Sequence, residues 1–89
     1  MKRVHLLITG NVQSVGFRWF VQRTARQLEI TGWVKNRTDS SVEAVAEGKP
    51  DAIKEFINTC RKGPGYSNVE NVVVDEEKYE GNFERFEIR

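Results

Sequence analysis

The fold of this chain is most constrained by two segments whose apolar residues recur at every third or fourth position. The first covers residues 17–28 and repeats at Phe17, Phe20, Val21, Thr24, Ala25 and Leu28. The second follows the boundary Gly48-Lys49-Pro50-Asp51 and repeats at Ile53, Phe56, Ile57 and Cys60, until Gly63-Pro64-Gly65 ends it. This spacing places the apolar side chains on one side of a helix. We therefore predict two helices that each bury a single face.

Segments with strand-like character surround both predicted helices. The apolar residues Val4, Leu6 and Ile8 alternate within residues 4–9, which is the period of a strand buried mainly on one face. Further strands are predicted over residues 33–37, 42–47 and 69–74, with a polar loop over 76–82 and a short final strand over 83–88. The turn-forming run Thr38-Asp39-Ser40-Ser41 joins the second and third strands into a hairpin.

The order of the elements decides the fold class. Strand, helix, strand, strand, helix, strand is the pattern of a split βαβ unit, and two helices of this kind can cover only one face of a four-stranded sheet. We predict one α+β domain over residues 1–89, a ferredoxin-like βαββαβ sandwich with both helices on one face of a four- to five-stranded antiparallel sheet. Because both apolar stripes are then buried inside the domain, we expect a monomer.

Composition narrows the function classes. The chain of 89 residues has 14 basic and 13 acidic side chains, a formal net charge of +1, which argues against a dedicated binder of nucleic acid or membrane surfaces. A single cysteine excludes an intrachain disulfide. We find no apolar segment with the length of a signal peptide or a membrane span. These features predict a cytoplasmic protein.

The segment between the first strand and the first helix carries the strongest functional signal. It reads Gly10-Asn11-Val12-Gln13-Ser14-Val15-Gly16-Phe17-Arg18. A glycine-bearing loop that leads from a strand into a helix points several backbone N–H groups at one spot, where the helix dipole adds partial positive charge. Arg18 adds a full charge and a forked set of donors that suits phosphate oxygens. The loop therefore predicts an oxyanion cradle built without metal.

These nine residues resemble the acylphosphatase signature, glycine-x-valine-glutamine-glycine-valine-x-phenylalanine-arginine. A second block, Gly32-Trp33-Val34-Lys35-Asn36, resembles the second conserved block of the same family and stands at the expected distance. Further similar segments are Val42-Glu43, Gly63-Pro64 and Phe86-Glu87-Ile88-Arg89. The resemblance spans essentially the whole chain, and two separate motifs at matching spacing make it specific.

The resemblance implies a hydrolase of carboxyl–phosphate mixed anhydrides, such as acetyl phosphate, carbamoyl phosphate and 1,3-bisphosphoglycerate, which needs no metal or other cofactor. It implies inorganic phosphate or sulfate as a competing ligand. Carried over residue by residue, Arg18 is the catalytic arginine that holds the phosphate, and Asn36 is the catalytic asparagine that positions the attacking water. The cradle is then formed by the backbone N–H groups of Gln13, Ser14, Val15, Gly16 and Phe17. The phosphate of the substrate itself can take the proton of the water.

Two positions depart from the family pattern, which has glycine at Ser14 and commonly at Ser40. The departure at Ser40 is expected to be harmless. At residue 14, a serine held at positive φ costs about 1–2 kcal/mol in strain or shifts the backbone, and its side chain could crowd the anion. The serious alternative is therefore an acylphosphatase fold with weakened or lost activity that acts as an anion-binding domain.

Two other classes share this order of elements. An RNA-recognition module needs exposed aromatic residues on its two central strands; here residues 4–9 and 42–47 contain none, and the second of these carries Glu43 and Glu47. A metal-transfer domain of this fold normally needs a Cys-x-x-Cys loop, which one cysteine cannot supply. The sequence disfavours both.

The remaining distinctive side chains are expected to be structural. Cys60 lies on the second apolar stripe and is expected to be a small core residue. His5 has no cluster of metal-binding residues near it in sequence, so no metal role is expected. Trp19 and Trp33 are expected to pack near the loop, and Arg26 is expected on a solvated helix face.

Overall fold

A five-stranded sheet with two helices packed on one of its faces forms the structure. The structure, a computed structural model, describes residues 1–13 and 16–89. In chain order its elements are β1 (Lys2–Asn11), α1 (Phe17–Gln27), β2 (Thr31–Asn36), β3 (Val42–Gly48), α2 (Pro50–Lys62), β4 (Asn68–Glu77) and β5 (Phe86–Ile88). The strand order across the sheet is β4-β1-β3-β2-β5. The predicted ferredoxin-like α+β architecture is confirmed.

The direction of the last strand requires a correction. The pairs β1–β3, β1–β4 and β2–β3 are antiparallel, as predicted, but β5 pairs in parallel with β2, from Gly32 opposite Phe86 to Val34 opposite Ile88. The prediction of an entirely antiparallel sheet is therefore wrong. The physical reason is that β4 and β5 lie at opposite edges of the sheet and the chain turns back between them. β5 therefore runs antiparallel to β4, and this is the direction in which β2 runs.

The helix-facing side of the sheet forms the core. The predicted alternation is confirmed in β1, where Val4, Leu6 and Ile8 are each at most 1% exposed. Both predicted helical stripes are also buried; their most buried members are Phe17, Val21, Ala25, Ile53, Phe56 and Cys60. Cys60 is fully buried and is a core residue, as expected, and this burial raises the pKa of its thiol to about 12.

The outer face of the sheet, which is turned away from the helices, carries charged side chains. His5 Nε2 lies 2.6 Å from Glu43 Oε2 there. At the other end of β3, Glu47 is only 1% exposed. Residues 78–85, which we call the crossover segment, pack over this carboxylate, and the N–H of Glu80 donates to Glu47 Oε2 at 3.0 Å. Each end of the outer face thus has a carboxylate that binds neighbouring groups, Glu43 at one end and Glu47 at the other.

Neither described helix, of 11 and 13 residues, is long and apolar enough to cross a membrane.

Candidate active site

The connection from β1 to α1 is anchored at both ends. Val12 before it and Phe17 after it are each only 1% exposed, so both side chains are fixed in the core. β4 comes very close to the end of β1, where a Cβ on Gly10 would lie 2.1 Å from the carbonyl oxygen of Asn68. Gly10 also has a φ of 126°, so glycine is required at this point. The predicted cradle amides of Ser14 and Val15 lie outside the described residues.

The start of α1 has the properties of an anion site. Gly16 is in the left-handed conformation, with φ 76° and ψ 26°, which turns the chain into the helix. The first helical hydrogen bond runs from the Phe20 N–H to the Gly16 carbonyl at 2.9 Å. The N–H groups of residues 17–19 therefore come before the first hydrogen bond of the helix and have no acceptor within it. The first turn has no acidic residue and no side-chain cap from the described residues. The first turn itself therefore brings no competing carboxylate to its positive end.

Arg18 is the second residue of α1 and reaches toward the β2–β5 edge of the sheet. Its Nη1 donates to the main-chain oxygen of Arg89 at 3.2 Å. The N–H of Arg89 in turn donates to the carbonyl of Val34 in β2 at 2.8 Å. The guanidinium of Arg18 is thus held close to the strand that ends, two residues after Val34, in Asn36.

Two further polar residues of α1, spaced by four from Arg18, contact β5. Gln22 Nε2 donates to the carbonyl of Phe86 at 3.2 Å, and Arg26 Nη2 lies 3.4 Å from the same oxygen. Arg26 is exposed, as expected for a solvated helix face, and its guanidinium also reaches this oxygen. Because α1 packs over the β2–β5 edge, residues spaced by four along the helix meet the carbonyl of Phe86 in the short last strand.

The two tryptophans differ in environment. Trp19 is 56% exposed, with the Arg23 guanidinium 5.4 Å from its ring centroid. Trp33 is half-buried on the outer face, and the charged groups of Lys35 and Arg89 each lie 5.4 Å from its ring centroid. Trp33 therefore lies on the outer face of β2, the strand that ends in Asn36, whereas Trp19 is largely exposed to solvent.

Asn36 is the last residue of β2 and pairs with Val42 of β3. It shares the helix-facing side of the strand with Val34, which is fully buried. Its Oδ1 atom is buried, and no hydrogen-bond donor within residues 1–13 and 16–89 reaches it. A buried carbonyl oxygen without a donor is costly, so this atom is suited to accept a hydrogen bond from a bound water or ligand.

The side chain of Gln13 joins the loop to the β2–β3 turn. Its Nε2 donates to the carbonyl oxygens of Arg37 at 2.6 Å and Ser41 at 2.8 Å. Only the main chain of Gln13 is predicted from the sequence to belong to the site, and this side-chain bridge is not. No local pattern marks it, because its two acceptors lie 24 and 28 residues further along the chain.

These contacts bring three of the predicted site residues to one end of the sheet. Gln13 holds the residue that follows Asn36, and Arg18 is linked through Arg89 to Val34, two residues before Asn36. In the described part of the chain, no group of three or more His, Cys, Asp or Glu side chains could hold a metal ion. The arrangement places the guanidinium of Arg18 and the start of α1 at the same end of the sheet as a buried carbonyl oxygen of Asn36.

Comparisons with known proteins show the family to which this chain belongs. The acylphosphatase family model matches residues 4–88. The acylphosphatase of Syntrophotalea carbinolica is 48% identical over 87 residues, which are 98% of this chain and 95% of that protein. The crystal structure of the Bacillus subtilis acylphosphatase superposes with a TM-score of 0.96 at 38% identity, covering 100% of this chain and 99% of the other. An acylphosphatase structure from Coxiella burnetii gives a TM-score of 0.94 at 36% identity, covering 99% and 92%. This chain therefore belongs to the acylphosphatase family of hydrolases, as its motifs at residues 10–18 and 32–36 predict.

Proposed function

We propose that this chain hydrolyses acyl phosphates in a site where Arg18 and the loop amides hold the phosphoryl group and Asn36 positions the water. Family membership gives the reaction class, which is conversion of an acyl phosphate to a carboxylate and inorganic phosphate. The observation that carries the residue assignment is the buried Oδ1 of Asn36, which has no donor among the described residues and lies on the strand that Arg18 approaches.

The guanidinium of Arg18 is suited to hold the phosphoryl oxygens. It has five N–H donors in a planar fork, and one of its nitrogens is already directed to the carbonyl of Arg89. That contact occupies one nitrogen and leaves the other donors for the anion. The N–H groups of Gln13 to Phe17 complete the proposed cradle, at the positive end of α1.

Asn36 is suited to place the attacking water. Its Oδ1 accepts a hydrogen bond from the water, and its Nδ2 remains available as a donor. The oxygen of the water then forms a bond to phosphorus as the bond from phosphorus to the acyl oxygen breaks. The carboxylate leaves without needing a proton, and the proton of the water passes to a phosphoryl oxygen. The chemistry therefore needs charge neutralisation and in-line placement more than a general acid.

Replacing Asn36 with alanine is expected to lower kcat by about 10²-fold, the cost of a misplaced reactant. The inhibition constant for inorganic phosphate should stay within about twofold of the wild-type value, because Arg18 and the loop amides, rather than Asn36, hold the anion. Steady-state hydrolysis of benzoyl phosphate with phosphate as inhibitor measures both quantities. Asn58→Ala, on the exposed side of α2, is the matched control and should behave as wild type. Loss of phosphate affinity with intact turnover would contradict the assigned role.

Ser14 makes an anion-binding domain with lost activity the competing function. Hydrolysis of acetyl phosphate and benzoyl phosphate in the presence of a chelator distinguishes the two, because we expect turnover that inorganic phosphate or sulfate inhibits competitively. Phosphate binding without turnover would establish the alternative instead.

We also propose that the enzyme is a cytoplasmic monomer. The apolar stripes of both helices are buried in the core, and the single cysteine is buried as well. Size-exclusion chromatography with light scattering should give the mass of one chain, 10.3 kDa.

A further inference from the structure

We propose that Glu43 is a positioning residue for Asn36: from the outer face of the sheet, its carboxylate clamps the two residues that flank Asn36 in sequence. This inference rests on the role of Asn36 under the proposed function. It assigns a function to a side chain that does not touch the substrate and lies on the opposite side of the sheet from the proposed reaction.

The clamp is made by one oxygen of the carboxylate. Glu43 Oε1 lies 3.7 Å from Lys35 Nζ and 3.5 Å from Arg37 Nη1. The other oxygen, Oε2, lies 2.6 Å from His5 Nε2 on β1. The Glu43 side chain is 15% exposed, so these contacts are less screened than those of a surface pair. The residues immediately before and after Asn36 are thus held by the same atom.

The sheet itself supports this part of β2 only on one side. β5 pairs with residues 32–34 of β2 and ends there, whereas β3 pairs with β2 as far as Asn36 opposite Val42. Lys35 and Asn36 therefore have a β-ladder partner on β3 but none on β5. A strand end that is hydrogen-bonded to a neighbour on one side only is displaced more easily than a central strand. Side-chain contacts that hold residues 35 and 37 therefore limit the movement of the backbone at Asn36.

The orientation of the Asn36 side chain depends on the position of its backbone. Its Oδ1 accepts no hydrogen bond from residues 1–13 or 16–89. The direction of the carboxamide is consequently set by the placement of the β2 backbone, which the clamp fixes through Lys35 and Arg37. A displacement near 1 Å at a positioning group can cost about 10²-fold in rate, so even a partial loosening has a measurable effect.

Arg37 extends the clamp to the phosphate loop. Its carbonyl accepts the hydrogen bond from Gln13, its N–H donates to the Ser41 carbonyl at 2.9 Å, and its guanidinium reaches Asp39 Oδ2 at 3.5 Å as well as Glu43. The hydrogen bond from His5 lowers the pKa of the Glu43 carboxyl below its ordinary value, although burial opposes this effect. The carboxylate is therefore charged in neutral solution.

The test is a double-mutant cycle between Glu43 and Asn36. Glu43→Gln keeps the shape of the side chain and removes its charge; we expect it to lower kcat for benzoyl phosphate by about 10-fold with KM and phosphate inhibition nearly unchanged. In the Asn36→Ala background, Glu43→Gln should lower kcat no further. Lys35→Met removes one arm of the clamp at a half-exposed side chain and should give a smaller loss that also vanishes in the Asn36→Ala background.

Glu47→Gln is the matched control, because Glu47 is a carboxylate on the same face of the same strand but at its other end. Measured well below its unfolding temperature, it should leave kcat unchanged. An equal loss from Glu43→Gln with and without Asn36, or a rise in KM at constant kcat, would overturn the clamp alone. A wild-type kcat in Asn36→Ala by itself would instead overturn the proposed role of Asn36, and the clamp with it.

Discussion

Replacing Arg18 with alanine should lower kcat/KM for acyl phosphates by on the order of 10²–10³-fold or more, the cost of removing one preorganised donor from an oxyanion site. The transition state spreads negative charge over the three equatorial phosphoryl oxygens, and Arg18 is the side chain that we propose to face them. Loop amides and the helix dipole would remain, so residual activity should survive. Initial rates with benzoyl phosphate over a range of concentrations measure the loss.

Arg18→Lys is the sharper variant. The guanidinium has to donate hydrogen bonds to the main-chain oxygen of Arg89, which lies 3.2 Å from Nη1, and to the phosphoryl oxygens at the same time. An ammonium group is a point charge without a planar fork and cannot hold both in fixed directions. We therefore expect lysine to recover little of the loss caused by alanine, even though the charge is kept.

Arg23→Ala supplies the control for Arg18, because Arg23 lies on the exposed surface of α1 over the Trp19 ring, away from the β5 contacts. Its rate should match wild type. Wild-type rates in Arg18→Lys would show that charge alone suffices and that the forked geometry has no role.

The fold was predictable wherever one face of an element is buried. The stripes of α1 and α2 and the alternation of β1 are confirmed, because burial of one face imposes a period on the sequence. The weaker predictions concern edges: β4 runs from Asn68 to Glu77, longer at both ends than predicted, and takes up the start of the predicted loop. Both ends of this edge strand are polar and mostly exposed, so no alternation marks where it starts and stops.

The direction of β5 could not be read from the sequence for a related reason. Three paired residues leave no room for a periodic pattern, and alternation is the same for parallel and antiparallel strands. The direction follows from the return of the crossover segment across the sheet, and that segment is held by Glu47, which lies 33 residues earlier in the chain than Glu80.

The site was predictable in its motif residues and not in its supports. Arg18 and Asn36 follow from the resemblance of two short blocks, and their roles stay predictions. Gln13 as a bridge and Glu47 as a buried anchor have no local signature, because each acts on residues far along the chain. Glu43 meets Lys35 and Arg37 only through the pairing of β2 with β3, which no motif in the sequence marks. Period-two alternation assigns a charged residue on a strand to the solvent side. Glu43 and Glu47 do lie on that side, but other parts of the chain cover them.

Glu47→Ala should lower the free energy of unfolding by about 3 kcal/mol, at the low end of the cost of breaking a buried ion pair. The carboxylate is 1% exposed and accepts hydrogen bonds from Arg3 Nη1 at 3.2 Å and from the N–H groups of Glu80 and Gly81 at 3.0 and 3.2 Å. Its removal leaves two backbone donors of the crossover segment without their acceptor. Arg3 keeps a second partner in Glu77, which limits the cost.

Urea unfolding at neutral pH measures this loss, with Glu76→Gln as the control. Glu76 makes a surface pair with Lys2 at 3.6 Å and is 68% exposed, so its loss should cost about 0–1 kcal/mol. A difference between Glu47→Ala and Glu76→Gln of less than about 1 kcal/mol would contradict the anchoring role, since a surface pair alone can contribute that much.

The same carboxylate predicts how the stability changes with pH. Burial by itself raises the pKa of Glu47, but the N–H of Glu80, the Arg3 guanidinium and the N–H of Gly81 together outweigh it, so the pKa lies below its ordinary value. A carboxyl whose pKa is lowered by folding contributes stability above its unfolded pKa, and that contribution is lost as the pH falls through the folded pKa. Glu47→Gln does not titrate. We therefore expect the stability gap between wild type and Glu47→Gln to be largest at neutral pH and to shrink in acid, because the protonated carboxyl resembles the amide. A gap that stays constant in urea titrations from neutral pH into the acid range would show that the charge of Glu47 does not hold the crossover segment.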